Sequence, residues 1–196
     1  QENQSDISQA LNQQSDLIEG IYEGGLTIWE CGIDLVNYLI SQQGDFNGKN
    51  VLELGCGGGL PGIYSVVNGA KSVHFQDYNS EVIKEFTIPN VQLNIEERKC
   101  ECRYIAGDWN TLPTVLIQTK YDYILSAETI YNPNHYTQLV SALNSLLHPQ
   151  GQILISAKSY YFGVGGGTRL FESFLQENGV FSSEVVHVIE AGIIFT

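Results

Sequence analysis

The chain has 196 residues, 43% hydrophobic and 16% charged, the proportions of one folded domain with a substantial core and not of a disordered segment. Nine Lys and Arg stand against 22 Asp and Glu, a formal charge of −13 that argues against direct nucleic-acid binding through clustered cations and suits a basic macromolecule as partner. Cys31, Cys56, Cys100 and Cys102 show no CxxC spacing and no histidines at metal-ligand intervals, so reduced thiols, no metal and an intracellular location are expected.

Residues 1–15, rich in Gln, Asn and Ser, predict a flexible or loosely helical lead-in to a single domain over 16–196. From Thr27 to Ser41 the apolar residues Ile28, Trp29, Ile33, Val36 and Ile40 recur mostly three or four apart, which predicts an amphipathic helix packed on a sheet. Val51 to Leu54 is an apolar run too short for a helix and closed by glycines, so it predicts a buried strand followed by a turn and a helix start. Such a turn brings a ligand close to the backbone and to unpaired amides. A dinucleotide fingerprint needs glycine at its first, third and sixth positions, but counting from Gly55 the sixth is Leu60. The Gly-x-Gly-x-Gly pattern with Glu53 just upstream resembles motif I of the S-adenosylmethionine-dependent methyltransferases. A carboxylate there suits a cofactor carrying a sulfonium and an amino acid end.

The first crossover helix continues over Ile63 to Asn68, and Ser72 to Asp77 is a second strand ending in a carboxylate. Asp77 lies 22 positions beyond Gly55, where such folds place an acid to accept both hydroxyls of a ribose; the alternative is a cap for the helix beginning near Asn79. Pro89 is expected to interrupt that helix, which resumes before the charged turn Glu96-Glu97-Arg98-Lys99. Cys102 to Ala106 is a third strand, and alternate residues put Cys100 and Cys102 on one face. After it Asp108 is placed to take an adenine amine while Trp109 supplies an apolar plane. Tyr121 to Ala127 delivers Glu128, Thr129, Ile130 and Tyr131 to the sheet edge, and Asn132-Pro133 then caps and starts a helix to Leu147. Pro149-Gln150-Gly151 predicts a turn into a fifth strand, Gln152 to Ala157. The second glycine loop, Gly163 to Gly167, lacks a Gly-Lys-Ser/Thr ending and so no phosphate loop, and leads into a helix over Thr168 to Asn178. Val185 to Ile189 is a sixth strand and Gly192 to Thr196 opens a seventh. Alternation of this kind predicts an α/β, Rossmann-like, mostly parallel sheet with helices on both faces. No apolar run approaches the roughly 20 residues of a membrane span, no signal peptide is visible, and the absence of any methionine suggests trimmed termini.

Tyr22 to Cys31, Phe75 to Ser80, Glu128 to Pro133 and Tyr161 to Gly167 together closely resemble the protein-histidine N-methyltransferases of the seven-strand class. The resemblance implies a class I methyltransferase fold with an N-terminal helical lid, S-adenosyl-L-methionine as cofactor, and methylation of the tele ring nitrogen of a histidine in a large-subunit ribosomal protein. It carries cofactor contacts onto Ile28, Trp29, Glu30 and Cys31, the glycines around Gly55 including Gly57, Gln76, Asp77 and Tyr78, then Gly107, Asp108, Trp109 and Ser126. A monomeric enzyme of the cytoplasm, and of the nucleus as a further location, with no membrane or nucleic-acid contact, is the expectation.

An imidazole, with a pKa of about 6.5, is largely neutral at pH 7, whereas a lysine at about 10.4 needs roughly 5 kcal/mol to lose its proton. The enzyme therefore needs a tautomer selector more than a strong base: an acceptor on one ring nitrogen frees the lone pair on the other. Glu128 is the first candidate, since a carboxylate also stabilises the cationic ring, and the alternative is a carboxylate that only holds its loop. Tyr131 is placed to pack against or bond the ring, with Asn132 and Tyr160 as weaker candidates. His74, His135, His148 and His187 form neither a ligand pair nor a triad and receive no catalytic part. The competing functions are a lysine methyltransferase of the same fold and a non-catalytic cofactor-binding module of ribosome assembly.

Overall fold

A computed structural model describes residues 17–95, 100–189 and 193–196. The expected lead-in over 1–15 and the charged turn 96–99 lie outside the described residues. Seven strands, β1 (Asn50–Leu54), β2 (Ser72–Asp77), β3 (Glu101–Ala106), β4 (Tyr121–Ala127), β5 (Leu147–Ala157), β6 (Val185–Val188) and β7 (Ile193–Phe195), form one sheet in the order β3-β2-β1-β4-β5-β7-β6. The first five are parallel, and β7 runs antiparallel between β5 and β6. This is the seven-strand methyltransferase-type sheet, and the strand order turns back between β1 and β4.

The period of two in the strands decides which helices cover which face. Leu52, Leu54, Ile124 and Ile155 face a cluster supplied by α5 (Leu112–Val115), α6 (Tyr136–Leu146) and α7 (Thr168–Asn178). Val51, Val73, Phe75 and Leu125 face the other way, against α1 (Glu30–Ser41) and α2 (Leu60–Val67). α1 begins three residues later than its apolar pattern suggests, at Glu30, because 17–29 forms a strap of turns with a single bridge between Ile18 and Tyr22. The lid over the sheet edge is thus turn rather than helix.

Two proline expectations are corrected. Pro89 does not interrupt its helix: α3 (Ser80–Val82) passes through a π segment, Ile83–Thr87, into α4 (Ile88–Asn94). Proline cannot donate to a preceding carbonyl, and the widened turn ahead of it absorbs that lost bond. The detour is useful, because Thr87 Oγ1 donates to the Gly57 carbonyl at 2.7 Å and Asn90 Nδ2 to that of Gly58 at 3.0 Å, pinning the glycine turn. Pro149-Gln150-Gly151 is likewise not a turn before β5 but an irregularity inside it, between the Tyr121↔Leu147 and Tyr123↔Gln152 pairs. Its residues His148 to Gln150 are exposed, so proline's missing donor costs little there.

Candidate active site

At the carboxyl edge, where the strand order turns back between β1 and β4, a cleft of about 320 Å³ opens. Its floor is the β1 turn. Gly55 has φ 62° and a Cβ there would lie 2.6 Å from Thr129 Cγ2, while at Gly57, φ 47°, a Cβ would lie 2.9 Å from the Gly25 carbonyl oxygen. Side chains are excluded by both conformation and space, which leaves backbone facing the cleft.

Gln76 ties three loops of this floor together. Its Oε1 accepts from Trp109 Nε1 at 3.1 Å and from the Gly55 amide at 3.4 Å, and its Nε2 donates to the Gly107 carbonyl at 2.7 Å. Only 1% exposed, it positions the walls, and the Trp109 ring, anchored through its nitrogen, lines the cleft. Asp108 also lines it, with one oxygen held by the Thr111 amide at 2.9 Å.

The two acids at the strand ends are buried. Asp77, 4% exposed, accepts from the Gly57 amide at 2.9 Å and the Asn79 amide at 3.2 Å. The diol-binding and helix-end roles are therefore geometrically compatible, since each carboxylate oxygen keeps a second lone pair. Burial pushes the Asp77 carboxyl above its usual range against the pull of those amides. Glu53 accepts from the Gly62 amide at 2.8 Å beneath the start of α2, and burial raises its pKa from 4.5 to about 8. Folding thus favours the protonated form: the contribution to stability is complete below 4.5 and is lost as pH rises through 8. Glu53→Gln keeps an acceptor for Gly62 and cannot ionise. Thermal melts should show the variant gaining on wild type as pH climbs from about 5 to about 9; a difference independent of pH would contradict the assignment.

The strap 17–29 roofs the cleft. Tyr78 donates to the Gly20 carbonyl at 3.0 Å, Asn79 Nδ2 to that of Ile21 at 2.6 Å, and Trp29 Nε1 to that of Gly24 at 3.0 Å. Glu23 accepts from Tyr131 by a short hydrogen bond and from the Gly20 amide at 2.7 Å. Ile28, Trp29 and Tyr78, carried over by the resemblance as cofactor contacts, line the cleft and are each partly exposed.

Opposite lies Glu128, the residue after β4. The pairing of Ala127 with Ser156 sets it beside the end of β5, where its amide donates to the Ser156 carbonyl at 2.9 Å. Its φ of 58° is left-handed, a costly conformation for a side chain with a Cβ and one that gathers at functional sites. Tyr161 donates to Glu128 Oε2 by a short hydrogen bond, and Lys158 Nζ stands 3.9 Å from Oε1. Oε1 is covered and has no hydrogen-bond partner. Burial first, then the Glu128 charge, pushes the Tyr161 hydroxyl well up, so it stays a donor; burial and Glu23 do the same for Tyr131. The Tyr131 and Tyr161 rings meet edge to face at 6.3 Å.

Glu128, Tyr131, Glu53, Gly55, Gly57, Gln76, Asp77, Gly107, Asp108 and Trp109 all line the cleft; Glu30, Cys31, Ser126 and Asn132 do not. Glu30, exposed, pairs with Lys158 at 3.3 Å, Cys31 is buried beside Glu128, and Ser126 donates to the Leu54 carbonyl at 3.0 Å, inside the sheet. Asn132 spends its oxygen on the Asn134 amide and its nitrogen on Glu19, which makes it a cap. Tyr160 faces outward against Phe162, and its neighbour Tyr161 takes the inward place. His135 lines the cleft, with Nε2 at 3.6 Å from Glu19, although scattered spacing gave it no sign of doing so. None of the four cysteines is in a disulfide.

A family model described as lysine methyltransferase matches residues 7–163. The histidine protein methyltransferase 1 homolog of Bos taurus is 42% identical across 95% of this chain and 57% of its own length. That of Dictyostelium discoideum is 44% identical across 93% of the chain and 59% of its own length. The chain thus spans somewhat under three-fifths of these relatives. Among solved structures, the ribosomal protein L11 methylase of Lactobacillus delbrueckii subsp. bulgaricus superposes with a TM-score of 0.60 at 20% identity, over 89% of this chain and 82% of that one, a likeness of fold.

Proposed function

From the premise that this chain belongs to the lysine methyltransferase family, among its histidine protein methyltransferases, we propose that it transfers a methyl group from S-adenosylmethionine to the tele nitrogen of a histidine in a large-subunit ribosomal protein. The single observation that carries the reading is the arrangement at Glu128: a cleft-wall carboxylate beside an aromatic pair, flanked by Lys158 and the Cys31 thiol, whose Oε1 makes no close hydrogen bond.

The cleft fits the cofactor on the chain's own chemistry. Gly55 and Gly57 clear space, Asp77 retains lone pairs for a diol, the Trp109 plane can flank a base, and Glu53, largely protonated at neutral pH, offers a carboxyl that a cationic amino group would draw back to its charged form. Bound there, S-adenosylmethionine supplies an electrophilic methyl group. The protein's part is to hold a ring nitrogen in line at about 3–3.5 Å and keep water out. Glu128 accepts the proton-bearing nitrogen of the ring, fixing the tautomer and compensating the positive charge that develops. Tyr161 and Lys158 hold that carboxylate, and Tyr131, latched to Glu23, closes the aromatic side. Oε1 is covered, so the side chains over it must give way when a ring binds.

A charge of −13 suits a basic ribosomal protein, and the proposal places the enzyme with that substrate in cytoplasm or nucleus. Labelled methyl transfer to unmethylated large-subunit proteins, followed by hydrolysis and amino-acid analysis, tests it. Label should appear in tele-methylhistidine. Label in methyllysine would favour the other activity that the family's description names, and no label at all a binding module.

A further inference from the structure

We propose that Lys158, held between Glu30 and Glu128 beside the part of the cleft wall that Trp29 and Glu128 form, is the specificity residue that makes the acceptor site prefer an uncharged ring to an alkylammonium. The inference rests on the histidine reading and names the residue that enforces it.

Lys158 is the first residue after β5, and the β4–β5 register that sets Glu128 beside Ser156 puts Lys158 beside Glu128. Its ammonium is fixed from three sides: Glu30 Oε2 at 3.3 Å, Glu128 Oε1 at 3.9 Å, and the face of Trp29 at 5.9 Å. Its amide donates to the Tyr161 hydroxyl at 3.2 Å, and Tyr161 in turn donates to Glu128. The side chain is two-thirds buried, where a fixed charge is felt by its neighbours more strongly than in open water. Burial works against its charge, but Glu128 and Glu30 more than offset this, so its pKa is raised and the ammonium persists at neutral pH.

Without that ammonium, Glu128 at the cleft wall and Glu30 behind it would stand uncompensated on a protein of charge −13, an attractive seat for any lysine of a basic substrate. With it, the place an alkylammonium would take against Glu128 belongs to the protein's own cation, and a second cation is repelled. A neutral imidazole suffers no such repulsion and needs only one N–H to reach the oxygen that lacks a hydrogen bond.

The test compares two probes, imidazole and n-butylammonium, titrated by NMR into protein saturated with S-adenosylhomocysteine at about pH 8.5, where the first is mostly neutral and the second charged. Wild type should bind imidazole more tightly. Lys158→Met should move the ratio of the two affinities at least about tenfold toward n-butylammonium, and Lys158→Arg, which keeps the charge, should stay within about threefold of wild type. A merely structural role would weaken both probes alike, leaving the ratio of Lys158→Met within about threefold of wild type, and that result overturns the proposal, as does a wild-type preference for the amine. Unchanged S-adenosylhomocysteine affinity shows that the variants are folded. Label in lysine, or none, in the transfer assay would sink the histidine reading, whereas the probe ratio judges Lys158 separately.

Discussion

Glu128→Gln is expected to lower turnover at least about a hundredfold while leaving S-adenosylmethionine affinity within about threefold of wild type. Glutamine still offers one oxygen to the Tyr161 hydroxyl. What it loses is the second acceptor and the negative charge, so under the proposed mechanism it could neither take the ring N–H nor offset the positive charge on the ring. Lys158, which faces Oε1 at 3.9 Å, keeps Glu30 as a partner at 3.3 Å, so replacing that oxygen by a neutral group should not unfold the protein. Single-turnover rates and calorimetric affinities measured side by side check both halves. Near-normal turnover would remove Glu128 from the role and leave it as a carboxylate that shapes its loop.

If Asp77 accepts both hydroxyls of the cofactor's ribose, Asp77→Ala should weaken S-adenosylmethionine binding by two orders of magnitude or more, two hydrogen bonds to a charged group being worth about 1.5–3 kcal/mol each. The same change strips acceptors from the Gly57 and Asn79 amides, so the turn that faces the cofactor also loosens. Asp77→Asn can retain one amide contact and should fall between the two. Calorimetry together with the melting temperature without cofactor separates binding from folding. An Asp77→Ala affinity within about threefold of wild type would reduce Asp77 to the helix-end role alone.

These two residues differ in how far the sequence revealed them. The cofactor side of the cleft is local in the chain: Glu53, Gly55 and Gly57 sit on one turn, and Asp77 ends the next strand, so spacing along the sequence already places them. The fold was legible for the same reason, with β2 and α7 at their predicted bounds and β1 starting one residue early. The acceptor side is assembled across the sheet. Glu128, Lys158 and Tyr161 meet because β4 and β5 are parallel neighbours in one particular register, and no periodicity in either segment encodes that meeting. Glu23 reaches Tyr131 over a separation of 108 residues; it lies in the Tyr22 to Cys31 segment that resembles the family, but nothing in that segment pairs it with Tyr131. Asn132 was misleading because a single residue type serves both caps and sites, and here the backbone of Asn134 claims it. Pro89 was misread because a proline rule applied to sequence alone allows no π turn, which tertiary anchoring through Thr87 and Asn90 makes worthwhile.

The most direct measurement is a calorimetric titration of the protein with S-adenosylmethionine and, separately, with a nicotinamide dinucleotide. The account predicts saturable one-to-one binding of the sulfonium compound and no measurable heat from the dinucleotide. Saturation by the dinucleotide with silence from S-adenosylmethionine would contradict it.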